Sequence, residues 1–311
     1  MKANIELIKG DCLIQSDKIE SGSVDLILTD LPYGTVKGLG ENIPKYDRLN
    51  KADWDVVIPT EKIMQIANRI LRKNGKMILF AQQPFTTELI SKQIANLPFN
   101  YSMIWKKDHF ANALTAKKAP LNYYEDVLVF SKTHDFEGIH PLRPYLKMVL
   151  EFIGLNKKTV VEAIGQSADH CFRVDSSQFS LCTEKTYNKL IASYGIDKMQ
   201  GFRTFVDISN ESDGLNSTFN LQEGTKFKSN ILEYKKDYDG LHPTQKPVLL
   251  LEDLIKTFSN EDDLVVDFTM GSGSTLVACQ NTNRNGIGIE LDENYFNIAT
   301  DRVNQNKQKL F

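Results

Sequence analysis

Cysteine is scarce in this chain of 311 residues: four in all, at Cys12, Cys171, Cys182 and Cys279, with no Cys-x-x-Cys pair and no histidine at ligand spacing. That excludes a disulfide framework and a zinc site, and a reducing, cytoplasmic compartment is expected. No run of eighteen apolar residues occurs, and Met1-Lys2-Ala3-Asn4 starts no signal-peptide pattern, so membrane insertion and export are not expected. Repeats and low-complexity tracts are absent. A large charge excess is missing too: the net charge is −3, so any surface for a polyanion must come from local segregation of charge. What remains is an ordinary globular composition, 41% hydrophobic and 25% charged, long enough for one large domain or a domain with an insertion.

The apolar runs alternate with helical periodicity. Ile5–Lys9 reads as a strand ending in Gly10-Asp11, with a helix from Leu13. Val24-Asp25-Leu26-Ile27-Leu28 is apolar enough for a central parallel strand. Ile63, Ile66, Ala67, Ile70 and Leu71 keep i, i+3, i+4 spacing, which predicts an amphipathic helix stopped by Asn74-Gly75, and Lys76–Phe80 predicts the next strand. Two further β-prone runs, Tyr101–Trp105 and Asp126–Phe130, flank a lysine-bearing stretch read as a loop. Its Lys106, Lys107, Lys117 and Lys118 lie near His109 and Phe110, which suits a nucleic-acid backbone as well as a plain solvated surface. The polar segment Thr35–Trp54 is expected to be a mobile loop that closes over a substrate.

From Arg143 to Arg203 the character changes. Nine Lys+Arg face six Asp+Glu there, which leaves the segment at +3 and the remainder of the chain at −6. A helix through Ile153, a second capped by Asn156 and a turn at Gly165-Gln166-Ser167 into a third predict a helical insertion with a helix-turn-helix layout, or a subdomain that only shapes a pocket. Three segments follow: 1–141, a helical insertion at 142–225, and 226–311. Lys157, Lys158 and Arg173 are the insertion's candidate DNA contacts.

The chemistry is concentrated in two places. Thr29-Asp30-Leu31-Pro32-Tyr33-Gly34 puts a carboxylate, a rigid proline and an aromatic at the carboxyl end of a strand, where open α/β sheets hold ligands. Near the other end, strand Leu264–Phe268 runs into Thr269-Met270-Gly271-Ser272-Gly273-Ser274-Thr275 and a helix, a turn whose backbone amides can approach a ligand closely. Leu276 replaces the third glycine of a dinucleotide fingerprint, and a P-loop lysine is absent. Asp267 suits a cationic amino group better than a phosphate, and Glu290, ending the strand Gly286–Glu290, is placed to accept from both ribose hydroxyls of a nucleoside.

Asp30-Leu31-Pro32-Tyr33 resembles the Asp-Pro-Pro-Tyr motif of amino-group DNA methyltransferases, with Leu31 in place of the first proline. Asp267-Phe268-x-x-Gly271-x-Gly273-x-Thr275 resembles the S-adenosylmethionine loop of those enzymes. His242-Pro243-Thr244-Gln245-Lys246-Pro247 resembles the segment they set against the methionine end of the cofactor, and Gly10-Asp11 the one whose carboxylate meets its adenine. Their order, catalytic motif, insertion, cofactor loop, is that of the β group of the family.

The resemblance implies a class I methyltransferase fold of the α/β kind: a Rossmann-like, mostly parallel, seven-stranded sheet, circularly permuted, with the helical insertion. In it the strand at Leu264 lies between those at Gly286 and Asp25, the strand at Ile5 flanks the former, that at Lys76 flanks the latter, and the Tyr101 and Asp126 strands form a partly antiparallel edge. It further implies Asp30, Leu31, Pro32 and Tyr33 as catalytic. Asp11, Asp30, His242, Thr244, Lys246, Asp267, Phe268, Gly271, Gly273, Thr275 and Glu290 would meet S-adenosyl-L-methionine. Expected partners are double-stranded DNA, a second copy of the chain and a restriction endonuclease. Aspartate in first position favours N6 of adenine; the N4 amino group of cytosine, RNA, and a non-enzymatic DNA-binding protein stay open in that order. No cysteine follows a proline, which speaks against methylation of a cytosine ring carbon.

Overall fold

The computed structural model describes residues 3–34, 56–111, 116–133, 142–176, 179–213, 218–222, 224–237 and 245–309. The expected mobile loop at Thr35–Trp54 therefore lies outside the described residues, as do His242 and Thr244. The chain divides into two compact units, one of 1–133 with 217–311 and one of 134–216, so the insertion begins and ends earlier than the expected 142–225.

The first unit is an eight-stranded sheet: β1 (Ile5–Lys9), β2 (Val24–Thr29), β3 (Leu71–Ala81), β4 (Phe99–Ala111), β5 (Asn122–Ser131), β6 (Ile231–Glu233), β7 (Leu264–Asp267) and β8 (Asn285–Glu290), in the order β1-β8-β7-β2-β3-β5-β4-β6. β1, β8, β7, β2 and β3 are parallel, while β5 is antiparallel to both β3 and β4. The expected order holds, with one strand more than the seven expected. The extra one, β6, is three residues long, too short for its period to show, and pairs parallel to β4.

Alternation along the central strands builds two cores, because successive side chains point to opposite faces. Ile27, Met77, Leu79, Leu128 and Phe130 pack with Ile63, Met64, Ala67 and Ile70 of α2 (Thr60–Ile70) on one face. On the other, Leu26, Leu28, Ile78, Phe80, Val127 and Val129 meet Leu250, Leu251, Leu254 and Phe258 of α8 (Val248–Phe258). Each such side chain contributes about 1.5–3 kcal/mol by leaving water. Sandwiching leaves β2 buried at nearly every position, which fixes where its carboxyl end, and hence Asp30, emerges.

Two expectations about element ends are corrected. α2 stops at Ile70, not at Asn74-Gly75, which lie inside β3 with Asn74 at φ 61°; the β2–β3 register slips there to accommodate them. The lysine-bearing stretch is largely not a loop, since β4 carries Lys106 and Lys107 on to Ala111 and β5 starts at Asn122.

The second unit has its own core of Leu142, Leu146, Val149, Val160, Ile164, Tyr187 and Leu190. Its helices are α4 (Leu142–Ile153), α5 (Lys157–Ile164), α6 (Glu184–Tyr194) and α7 (Phe205–Asp213). Asn156 caps α5 by accepting from Thr159 N at 3.0 Å, as its sequence position suggests. After Gly165, at φ 112°, the chain makes two short 3₁₀ turns, Gln166–Ala168 and His170–Phe172, in place of the expected third helix. A helix-turn-helix is therefore not formed there. Ala168, Cys171 and Phe172 lie in the core at i, i+3 and i+4, the spacing one face of a helix would also show, so the apolar pattern does not distinguish the two.

Candidate active site

A cavity of about 790 Å³ opens in the first unit at the carboxyl ends of β1, β2, β7 and β8. All four residues of the Asp30–Tyr33 motif line it, and so do Asp11, Lys246, Asp267, Phe268, Gly271, Thr275 and Glu290. Residues from both termini thus converge on one space. Gly273 stands just behind, at the N-terminus of α9 (Ser274–Asn281), in the left-handed conformation at φ 78°.

The catalytic motif is fastened to the glycine loop. Thr29 donates to Asp267 Oδ1 at 2.7 Å and lies 2.9 Å from the Thr269 hydroxyl, and that hydroxyl donates to the Asp30 carbonyl at 2.9 Å. Asp267 also accepts from Thr275 at 2.6 Å and from Thr269 N at 3.1 Å. These three bonds make Asp267 the residue that orders the loop, at the wall of the cavity. Burial pushes its pKa up to about 6, against the hydroxyls of Thr275 and Thr29, which favour the charged form. Glu290 accepts from Gly271 N at 2.9 Å and Asp292 N at 2.8 Å, and burial raises its pKa as well. Asp11 caps α1 (Cys12–Gln15) through Leu13 N at 2.8 Å.

Leu31 is buried in the core at 2% exposure, so the departure from proline puts an apolar side chain into the apolar layer and leaves the backbone at the cavity. Tyr33 is half-buried: its ring centroid is 5.1 Å from that of Phe85, in α3 (Phe85–Ser91), and its hydroxyl donates to Asp30 Oδ1 at 2.9 Å.

Asp30 Oδ2 is ion-paired with the ammonium of Lys246, which lies 3.2 Å from Glu125 Oε2, while Glu125 Oε1 pairs with Lys107. Burial pushes the Asp30 carboxyl up, with Lys246 opposing, and the two carboxylates raise Lys246 against its own burial. Glu125 resists its burial and is held low by Lys246 and then Lys107. Sequence reasoning missed Glu125, Thr29 and Thr269. The signal for Glu125 was present, a charged residue beside an apolar β-run.

One candidate DNA contact is corrected. Lys107 is 4% exposed and committed to Glu125, so it is no surface cation. Lys106 is exposed but pairs with Glu233 at 2.9 Å, and Lys117 and Lys118 are exposed. In the second unit, Lys157 and Arg173 both pair with Asp169, and Lys158 is exposed. Among the described residues no cluster of His, Cys, Asp and Glu could hold a metal ion, and no helix is long and apolar enough to cross a membrane.

The sheet order, with a glycine turn after β7 and an acidic residue ending β8, defines a Rossmann-like methyltransferase fold. The chain matches the N6/N4 DNA methylase family over residues 24–301 and belongs to it. Among relatives it is 25% identical to DNA adenine methyltransferase YhdJ of Escherichia coli (strain K12), over 96% of this chain and 82% of that one. Among solved structures it is similar in fold to the M1.HpyAVI–SAM complex, at 18% identity and TM-score 0.53 over 96% of this chain and 99% of that one. It is similar too to the cytosine-N4-specific PvuII DNA methyltransferase, at 13% identity and TM-score 0.53 over 100% and 93%.

Proposed function

We propose that the protein transfers the methyl group of S-adenosyl-L-methionine to the N6 amino group of an adenine in double-stranded DNA. The observation that carries this reading is that Asp30 and the Gly271 loop line one cavity and are tied together through Thr269. The adenine preference draws on the aspartate in first position and on the adenine-specific relative.

The cavity suits a cationic cofactor. Its lining carries Asp11, Asp30, Glu125, Asp267, Glu290, Asp292 and Glu293 against Lys107, Lys236 and Lys246, a balance that disfavours a phosphate and favours a sulfonium. Packing behind the loop is close: a Cβ on Gly288 would lie 2.5 Å from the Met270 sulfur, so the Met270 side chain sits where residue 288 has none. Glu290 would take the ribose hydroxyls, Asp11 the adenine of the cofactor, and the Gly271–Gly273 turn its methionine portion. When bound, S-adenosylmethionine supplies an electrophilic methyl group.

The protein's part is to make a poor nucleophile attack. An exocyclic amino group shares its lone pair with the ring, and a carboxylate with an ordinary pKa of about 4 cannot deprotonate it. Asp30 instead accepts one amino hydrogen and the Leu31 carbonyl the other, which draws the nitrogen towards a tetrahedral shape. The carboxylate then stabilises the positive charge that develops there. Thr269 fixes the Asp30 backbone against the loop, so a donor held by the loop and an amino group held at Asp30 would be presented from adjoining strand ends. The target atom is inaccessible within a duplex, so the base is extruded, and Tyr33, backed by Phe85, supports it.

Modification-aware sequencing of DNA from cells expressing the protein tests this reading. Modified adenines in one recurring sequence are expected; modified cytosines would move the protein to N4 chemistry, and unmodified DNA would remove the assignment.

A further inference from the structure

Glu125 is not part of either motif, yet it sits in the charge network around Asp30. Side-chain exposures of 7% for Lys246, 11% for Glu125 and 2% for Lys107 put the group almost wholly out of water. One Glu125 oxygen is fixed by Lys107. The other, Oε2, is buried and accepts no hydrogen bond among the described residues, although the Lys246 nitrogen is only 3.2 Å away. That ammonium is aligned on Asp30 instead. Leaving a buried carboxylate oxygen without a donor is costly, which makes this a second seat for the same ammonium.

Resting on the methyl-transfer reading, we propose that Lys246 swings from Asp30 onto Glu125 Oε2 when the target base arrives, and that Glu125 is the positioning residue that makes the exchange possible. An ammonium on Asp30 opposes the amino group twice. It occupies a carboxylate oxygen, and it repels the positive charge that builds on the attacking nitrogen. A rotation about the terminal bonds of Lys246 suffices to realign it, because both oxygens are within reach of one nitrogen. Lys107 keeps Glu125 from turning away, and the Phe80 ring, 5.0 Å from the Lys246 nitrogen, helps to hold the ammonium between the two seats.

Single-turnover methyl transfer from S-adenosylmethionine to amplified, and therefore unmodified, genomic DNA tests the exchange, with donor affinity and melting temperature read on the same samples. Glu125→Gln removes the charge of the second seat, and the rate at saturating donor is expected to fall by about tenfold, the scale of one hydrogen bond to a charged group; melting is expected to fall as well, because Lys107 loses its buried partner. Adding Lys246→Met to Glu125→Gln is expected to raise the rate again, because no ammonium then competes for Asp30. A Glu125→Gln variant as fast as wild type at saturating donor, or a double variant no faster than the single, overturns the inference while the methyltransferase reading stands. A wild-type protein that transfers no methyl group to DNA overturns both.

Discussion

Thr29 and Asp267 stand 238 positions apart in sequence and 2.7 Å apart in space, the hydroxyl donating to the carboxylate. This bond joins the last residue of the strand that delivers Asp30 to the last residue of the strand that delivers the glycine loop. Thr29 is 1% exposed, so water cannot replace it. Thr29→Val keeps the shape and removes the donor. A loss of about 1–3 kcal/mol is expected in urea unfolding, together with weaker donor binding, since a buried carboxylate is left short of a partner.

Asp267 gives the protein a pH signature. Its carboxyl, raised from 3.8 to about 6 by burial, binds a proton more tightly folded than unfolded. Stability from this group therefore falls as pH rises from about 4 to about 6 and stays low above that. Asp267→Asn cannot ionise, so relative to wild type it should gain stability across this window, by about 3 kcal/mol for a two-unit shift. Unfolding free energies of both proteins at pH 4 and pH 7 check this. A bound cation favours the ionised form, so donor affinity should rise more steeply through the same window in wild type than in the variant.

Gly273→Ala is expected to disturb the loop selectively. At φ 78° an alanine is strained, and its Cβ would come within 3.0 Å of the Ala299 Cβ on α10 (Glu293–Lys309). About 1–2 kcal/mol of stability should be lost. Donor affinity, measured by calorimetry, should fall by more than the melting temperature alone would suggest, because the strain sits in the turn that receives the donor.

Asp30→Ala is expected to abolish transfer, by about a thousandfold or more, while the donor still binds. Rapid-quench assays with calorimetry in parallel measure the two effects separately. Activity retained in this variant would remove Asp30 from its role.

The centre of the parallel half was readable from sequence because β2, β7 and the Met77–Ala81 end of β3 are near-continuous apolar runs. Asp30 and the Gly271 loop were readable because proline and glycine mark strand ends. What escaped was tertiary. β6 is three residues long and exists only by pairing with β4. The 3₁₀ turns after Gly165 escaped because Ala168, Cys171 and Phe172 are buried at a spacing that an α-helix shares. Lys107 resembled a surface cation, but Glu125, from the neighbouring strand, draws it inside. No local pattern reports such a pair.

The most direct test is transfer of a labelled methyl group from S-adenosylmethionine to unmodified duplex DNA, followed by digestion to nucleosides and chromatography. Label in N6-methyl-2′-deoxyadenosine from wild type, and none from Asp30→Ala, is the result expected. Label in N4-methylcytosine, or no label from the wild-type protein, would contradict it.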